Sequence, residues 1–182
     1  LPHLELVHRL DRETSGVLIL AKRRSALRAL QEQFRERTTQ KTYLAVVQGE
    51  WPAQVRRIDK PLKRYLLDNG GPGEGERRVK VAQADDPEAQ YALSLVKVRG
   101  KNATRSLLEV TIKTGRTHQI RVHLASHGHP IVGDDKYGDV AGVKHAPRML
   151  LHAWRIGFHH PKTGLAVFVE APAPDGFAVN AA

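Results

Sequence analysis

A chain of 182 residues is long enough for one domain with a core of its own and too short for two comfortable ones. Its 29 Lys and Arg against 19 Asp and Glu leave a net charge of +10, the electrostatic footprint of a nucleic-acid binder. Cysteine is absent, which excludes disulfides, thiolate nucleophiles and Cys-type zinc sites, and no apolar run has the length of a membrane span.

In chain order, Val17-Leu18-Ile19-Leu20-Ala21 is a continuous apolar run after Ser15-Gly16 and predicts a buried strand. Ser25 is placed to cap a helix to about Arg37, with Leu27, Leu30 and Phe34 on one face and Arg28, Arg35 and Arg37 on the other. Lys41 to Gln48 reads as a half-buried strand, Tyr43, Ala45 and Val47 on one side and Leu44 and Val46 on the other. Asn69 to Gly75 is a Gly-rich surface loop; it lacks the Lys-Ser/Thr of a phosphate cradle and carries the repelling charge of Glu74. Leu108, Val110 and Ile112 alternate as another strand, ended by Thr114-Gly115. Thr117 is placed to cap a helix bearing Ile120 and Leu124, with Gly128 at its end. Met149 to Phe158 and Leu165 to Glu170, with Pro161 and Gly164 between them, predict a hairpin. Strands outnumber helices and connections are short. The predicted class is α+β, a mixed, mainly antiparallel sheet with helices packed on it.

The run Val7 to Gly16 sets the carboxylate of Asp11 between Arg9 and Arg12, just before an apolar stretch. Nearby positive charge favours the ionised form. An ionised, positioned carboxylate can act as nucleophile or base without a cofactor. Most Asp residues beside Arg are salt bridges or turn caps, and spacing does not separate the two readings. Thr114 to His123 is a second basic cluster that supplies charge for Asp11 if the fold brings the two together. Tyr43 can pack in the core or stack on a base. Thr14 and Ser15 are nucleophiles only with a base such as His8 nearby; without a Gly-x-Ser-x-Gly elbow, a turn or capping role suits Ser15 better. His123 and His127 stand four apart on a predicted helix, but His-Glu-x-x-His is absent and the surrounding arginines repel a cation. Packing or RNA contact is the better reading, and no metal is expected.

Several segments, in order, resemble the RluA-type family of pseudouridine synthases. They are His8 to Gly16 (His-Arg-Leu-Asp-x-x-Thr-Ser-Gly), Lys41 to Ala45 (Lys-x-Tyr-x-Ala) and Thr114 to His123 (Thr-Gly-Arg-Thr-His-Gln-Ile-Arg-Val-His). Gly128-His129-Pro130-Ile131 with Gly133-Asp134, then Leu151-His152-Ala153, follow. Val7 to Arg12 and Arg77 to Val81 lean toward the RluC-like branch.

The resemblance implies an enzyme that isomerises specific uridines to pseudouridine in large-subunit ribosomal RNA. It implies a cytoplasmic monomer that needs no cofactor or metal. Its sheet carries the active cleft across the middle. Asp11 matches the catalytic aspartate, Tyr43 the ring against the target base, and Arg121 the arginine that pairs with the aspartate. Arg9 matches a residue that fills the gap left by the extruded uridine, and Arg116 is placed with the substrate-binding residues. Ala89 to Leu93 departs from the family pattern by lacking a Thr. The family's Lys-Pro-x-Gly segment, its opening strands and an S4-type RNA-binding domain would precede Leu1. Residues 1–182 are therefore read as a catalytic domain within a longer protein. Two alternatives differ in class: a non-catalytic RNA-binding or ribosome-assembly module, and a glycosylase, which would release free base.

Overall fold

The strand Gln40–Gln48 is central because both of its faces are apolar. Tyr43, Ala45 and Val47 join one core cluster and Leu44 and Val46 another, so the strand is covered on both sides rather than half-buried. The computed structural model describes residues 4–68, 75–138 and 146–180. In chain order its elements begin with β1 (Glu5–Leu6), β2 (Ser15–Gly16), β3 (Leu20–Ala21), α1 (Arg24–Arg35) and β4 (Gln40–Gln48). There follow β5 (Arg57–Asp59), β6 (Leu62–Leu67), β7 (Glu76–Val81), β8 (Leu93–Lys101), β9 (Arg105–Ile112), α2 (Gln119–Ser126), β10 (Leu151–His159) and β11 (Ala166–Glu170).

The main sheet runs β11-β10-β4-β9-β8-β5, all antiparallel, and β2 adds to β10 in parallel. The ribbons β1-β3 and β6-β7 stand apart from it. This is the α+β, mainly antiparallel arrangement predicted from the pattern. Helix α2 sets Ile120 and Leu124 on Val47, Leu108, Val110 and Ile112. Complete burial of a side chain such as Leu124 contributes about 1.5–3 kcal/mol. Helix α1 turns Leu27, Leu30 and Phe34 toward Val7 and Ala21. No helix among the described residues is long and apolar enough to cross a membrane.

Three local expectations are corrected. Val17 to Ala21 is not one buried strand: Val17 N–H donates to Ala153 O, and Leu20 and Ala21 then pair with β1. A two-stranded ribbon covers one face only, so Leu18 and Leu20 remain exposed. Ser25 does not cap α1. Leu27 N–H already bonds to Arg23 O, so the cap falls at Arg23 and Ser25 lies inside the first turn. Thr117 does not cap α2 either; the cap position is His118, in the left-handed region at φ 52°. At the other end Gly128, φ 78°, closes the helix as expected. Gly128 N–H bonds to Ala125 O and His129 N–H to Leu124 O, a Schellman closure. The Gly-rich loop, apart from Gly75, lies outside the described residues.

Gly16 is where β2 meets β10. A Cβ there would stand 2.1 Å from Ala153 O, and φ is 121°. Gly16→Ala is expected to lower stability by about 1–3 kcal/mol, read as a shift in urea midpoint at unchanged slope.

Candidate active site

The turn before β2, strand β4 and the loop entering α2 converge on a cleft of about 490 Å³. Asp11, Tyr43, Arg121, Arg9 and Arg116 all line it. The turn that presents Asp11 is closed by Thr14 N–H donating to Asp11 O at 2.9 Å. Ser15 fastens the turn to the sheet. Its hydroxyl accepts from Arg148 at 2.8 Å and donates to His152 Nδ1 at 2.8 Å, while His152 Nε2–H donates to Ala171 O. This is an anchoring role, and the base suggested for it is elsewhere: His8 accepts the Ile19 N–H and stacks on Phe34. Burial, then the charge of Lys41, pushes His8 down to about 4, so it is neutral at pH 7. Thr14 lines the cleft with a buried hydroxyl that has no partner among the described residues.

The ion pair of Asp11 is with Arg121, Oδ2 to Nη1 at 3.8 Å, rather than with the flanking Arg9 or Arg12. Arg9 is exposed on the cleft wall. Two other nitrogens of Arg121 are spent on Asp134: Nε donates to Oδ2 at 2.8 Å and Nη2 to Oδ1 at 2.7 Å. Asp134 also accepts the N–H groups of Lys136 and Tyr137, and the Tyr137 ring faces the guanidinium at 5.2 Å. Arg121 is thus a fixed fork whose third nitrogen faces the cleft. Burial alone would weaken its charge. The hydrogen bonds and charge of Asp134, then the charge of Asp11, outweigh that and hold it more firmly protonated.

Tyr43 supplies a flat wall next to Ile112, Ile120 and Leu151. Burial and then the Asp11 charge push its phenol up to about 12, so it stays neutral and offers a ring rather than an acid. The cleft is also lined by Arg35, Arg37, Lys113 and Arg116. Arg116 Nε donates to Tyr91 O, in the segment that departs from the family pattern.

A buried network holds the loop before α2. Gln119 Oε1 accepts from Thr114 Oγ1 and Arg116 N, while its Nε2 donates to Leu93 O and Ser94 Oγ. Ser94 Oγ–H donates to His123 Nδ1, and His123 Nε2–H donates to Lys60 O. Both ring nitrogens of His123 are therefore committed to bonds inside the fold, the packing role of the two that its sequence context left open. The residue whose role sequence reasoning missed is Asp134. The signal was present: Arg121 shares a helix with Ile120, Val122 and Leu124, and an arginine buried there requires a carboxylate partner.

The chain belongs to the RNA pseudouridylate synthase family, which matches residues 1–126. It is 49% identical over 175 residues to ribosomal large subunit pseudouridine synthase C of Haemophilus ducreyi, covering 93% of this chain and 52% of that protein. It is 46% identical over 182 residues to the protein of that name from Escherichia coli strain K12, covering 95% and 54% respectively. These relatives agree with the RluC-like leaning of the motifs. The chain spans about half the length of the curated relatives it matches. Among solved structures, human RNA pseudouridylate synthase domain containing 1 superposes with a TM-score of 0.77 at 30% identity, covering 94% of this chain and 69% of that one. Human RNA pseudouridylate synthase domain containing 4 gives 0.73 at 27%, covering 96% and 73%.

Proposed function

We propose that residues 1–182 form the catalytic domain of an enzyme that isomerises specific uridines to pseudouridine in large-subunit ribosomal RNA. The observation that carries this reading is Asp11, held against Arg121 in an open cleft beside the flat, neutral ring of Tyr43. In the reaction the bond from C1′ to N1 breaks and one from C1′ to C5 forms; C5 loses a proton and N1 gains one. Nothing is oxidised or reduced, so no cofactor is called for. Asp11 is the catalytic group, whether it attacks the nucleoside or removes a ribose proton. Either route needs a charged carboxylate within reach of the sugar. Tyr43 supports the detached uracil while it turns. Extruding the uridine costs about a few kcal/mol of stacking, and Arg9 at the cleft wall enters the vacancy. Arg116 and its cationic neighbours take the phosphates. Asp11, Tyr43 and Arg121 all come from one chain, which supports action as a monomer. A ribosomal RNA substrate, with bacterial relatives, supports a cytoplasmic enzyme.

The cationic lining predicts salt-sensitive binding. Lys113→Ala is expected to flatten the slope of log affinity against log salt by about 0.7, one single-strand phosphate contact. Lys162→Ala, in the turn between β10 and β11, is expected to leave it unchanged. Fluorescence anisotropy on labelled RNA at several salt concentrations reads both slopes.

The function itself is tested by incubating the chain with unmodified large-subunit RNA and separating the digested nucleosides. The expected product is an isomer of uridine with the same mass. Free uracil would instead identify a glycosylase, and unaltered RNA retained by the protein a binding module.

A further inference from the structure

His118 enters α2 in the left-handed region, at φ 52°, a conformation that is costly for a residue with a Cβ. Its Nδ1 lies 2.7 Å from the Tyr137 hydroxyl, whose oxygen also accepts the Val79 N–H at 3.0 Å. The Tyr137 proton needs an acceptor, and among the described residues His118 Nδ1 is the one in reach. That puts the imidazole proton on Nε2. Nε2 has no hydrogen-bond partner among the described residues, and the half-buried residue lines the cleft with Asp11 and Tyr43. Burial holds the His118 pKa below the usual histidine value; Asp11 and Asp134 oppose this, while Arg121 and Lys136 add to it. The ring is therefore neutral at pH 7.

We infer that His118 contacts the substrate, its Nε2–H, oriented by Tyr137, donating a hydrogen bond to a carbonyl oxygen of the pyrimidine lying against Tyr43. The inference rests on the function proposed above. A base lowered among Ile112, Ile120 and Leu151 loses water from its carbonyl oxygens, and each needs a donor. An uncharged N–H suits a neutral carbonyl, whereas phosphates meet the cations of Arg35, Arg37 and Lys113. Tyr137 is then a positioning residue, bracing Arg121 with its ring and fixing the histidine tautomer with its hydroxyl.

The test compares wild type, His118→Gln and His118→Leu in single-turnover assays. The substrates are short synthetic RNAs carrying uridine, 2-thiouridine or 4-thiouridine at a position wild type modifies. On uridine, His118→Leu is expected to lose about tenfold in rate, one hydrogen bond, while His118→Gln, which keeps an N–H, stays within about threefold. Sulfur accepts hydrogen bonds weakly. On the thio-substrate that replaces the accepting oxygen, the difference between wild type and His118→Leu is expected to vanish. Equal loss on all three substrates, or no loss on uridine, overturns the inference. If His118→Leu unfolds, Tyr137→Phe carries the same comparison, because it removes the group that fixes the tautomer. Absence of wild-type turnover on uridine RNA would count against the proposed function instead.

Discussion

Asp11→Asn is expected to slow pseudouridine formation by at least about a thousandfold, while leaving RNA affinity within about threefold of wild type. The substitution keeps the shape of the side chain and removes its charge. It costs the fold little, because Arg121 retains its two hydrogen bonds to Asp134. The turn also persists, since Thr14 N–H bonds to the main chain of residue 11. A melting temperature unchanged within about 2 °C is the control. A protein that merely binds RNA has no use for an anion in a cationic cleft, and the substitution would leave it unaffected or tighten its grip.

Asp134→Asn is expected to be the more damaging change to stability. Arg121 is 6% exposed and Asp134 fully buried, so neutralising the carboxylate leaves the guanidinium inside the protein with only its longer ion pairs, to Asp11 at 3.8 Å and Asp135 at 3.9 Å. Breaking such a pair costs about 3–5 kcal/mol, which is about 6–20 °C in melting temperature for a chain of this size. Burial alone would raise the Asp134 pKa, but the hydrogen bonds and charge of Arg121 more than offset it and hold the value below that of an ordinary aspartate. The pair's contribution is therefore complete above about pH 4, the unfolded value. It is lost as pH falls through the lower folded one. Denaturation curves of wild type and variant should stand well apart at pH 7 and converge in acid. Activity falls with stability, because Arg121 is no longer held with one nitrogen toward Asp11.

The sheet was legible wherever apolar alternation had a long strand to act on. β4, β9 and the β10-β11 hairpin lie close to where alternation, Thr114-Gly115 and Pro161 with Gly164 put them. What sequence hid was decided by distant partners. Nothing local shows that Val17 leaves its run to meet Ala153, or that a Gln119 side chain, and not Thr117, ties down the entry to α2. The site was legible in its members. Asp11, Tyr43, Arg9, Arg116 and Arg121 do share one cleft, from segments far apart in the chain. Its wiring was legible in part: the resemblance named Arg121 as the partner of Asp11, ahead of the flanking Arg9 and Arg12, but nothing in the sequence singled out Asp134 as the residue that fixes Arg121. Charge counts identify which residues attract one another, but only the fold decides which of them meet.

The most direct measurement uses large-subunit ribosomal RNA labelled with tritium at C5 of uracil. Forming the new bond from C5 to the ribose expels that hydrogen into water. Wild type should release tritium in step with the pseudouridine it makes, and Asp11→Asn should release none while still binding the RNA. Release by Asp11→Asn at the wild-type rate would show that the carboxylate in the cleft is not what drives the chemistry.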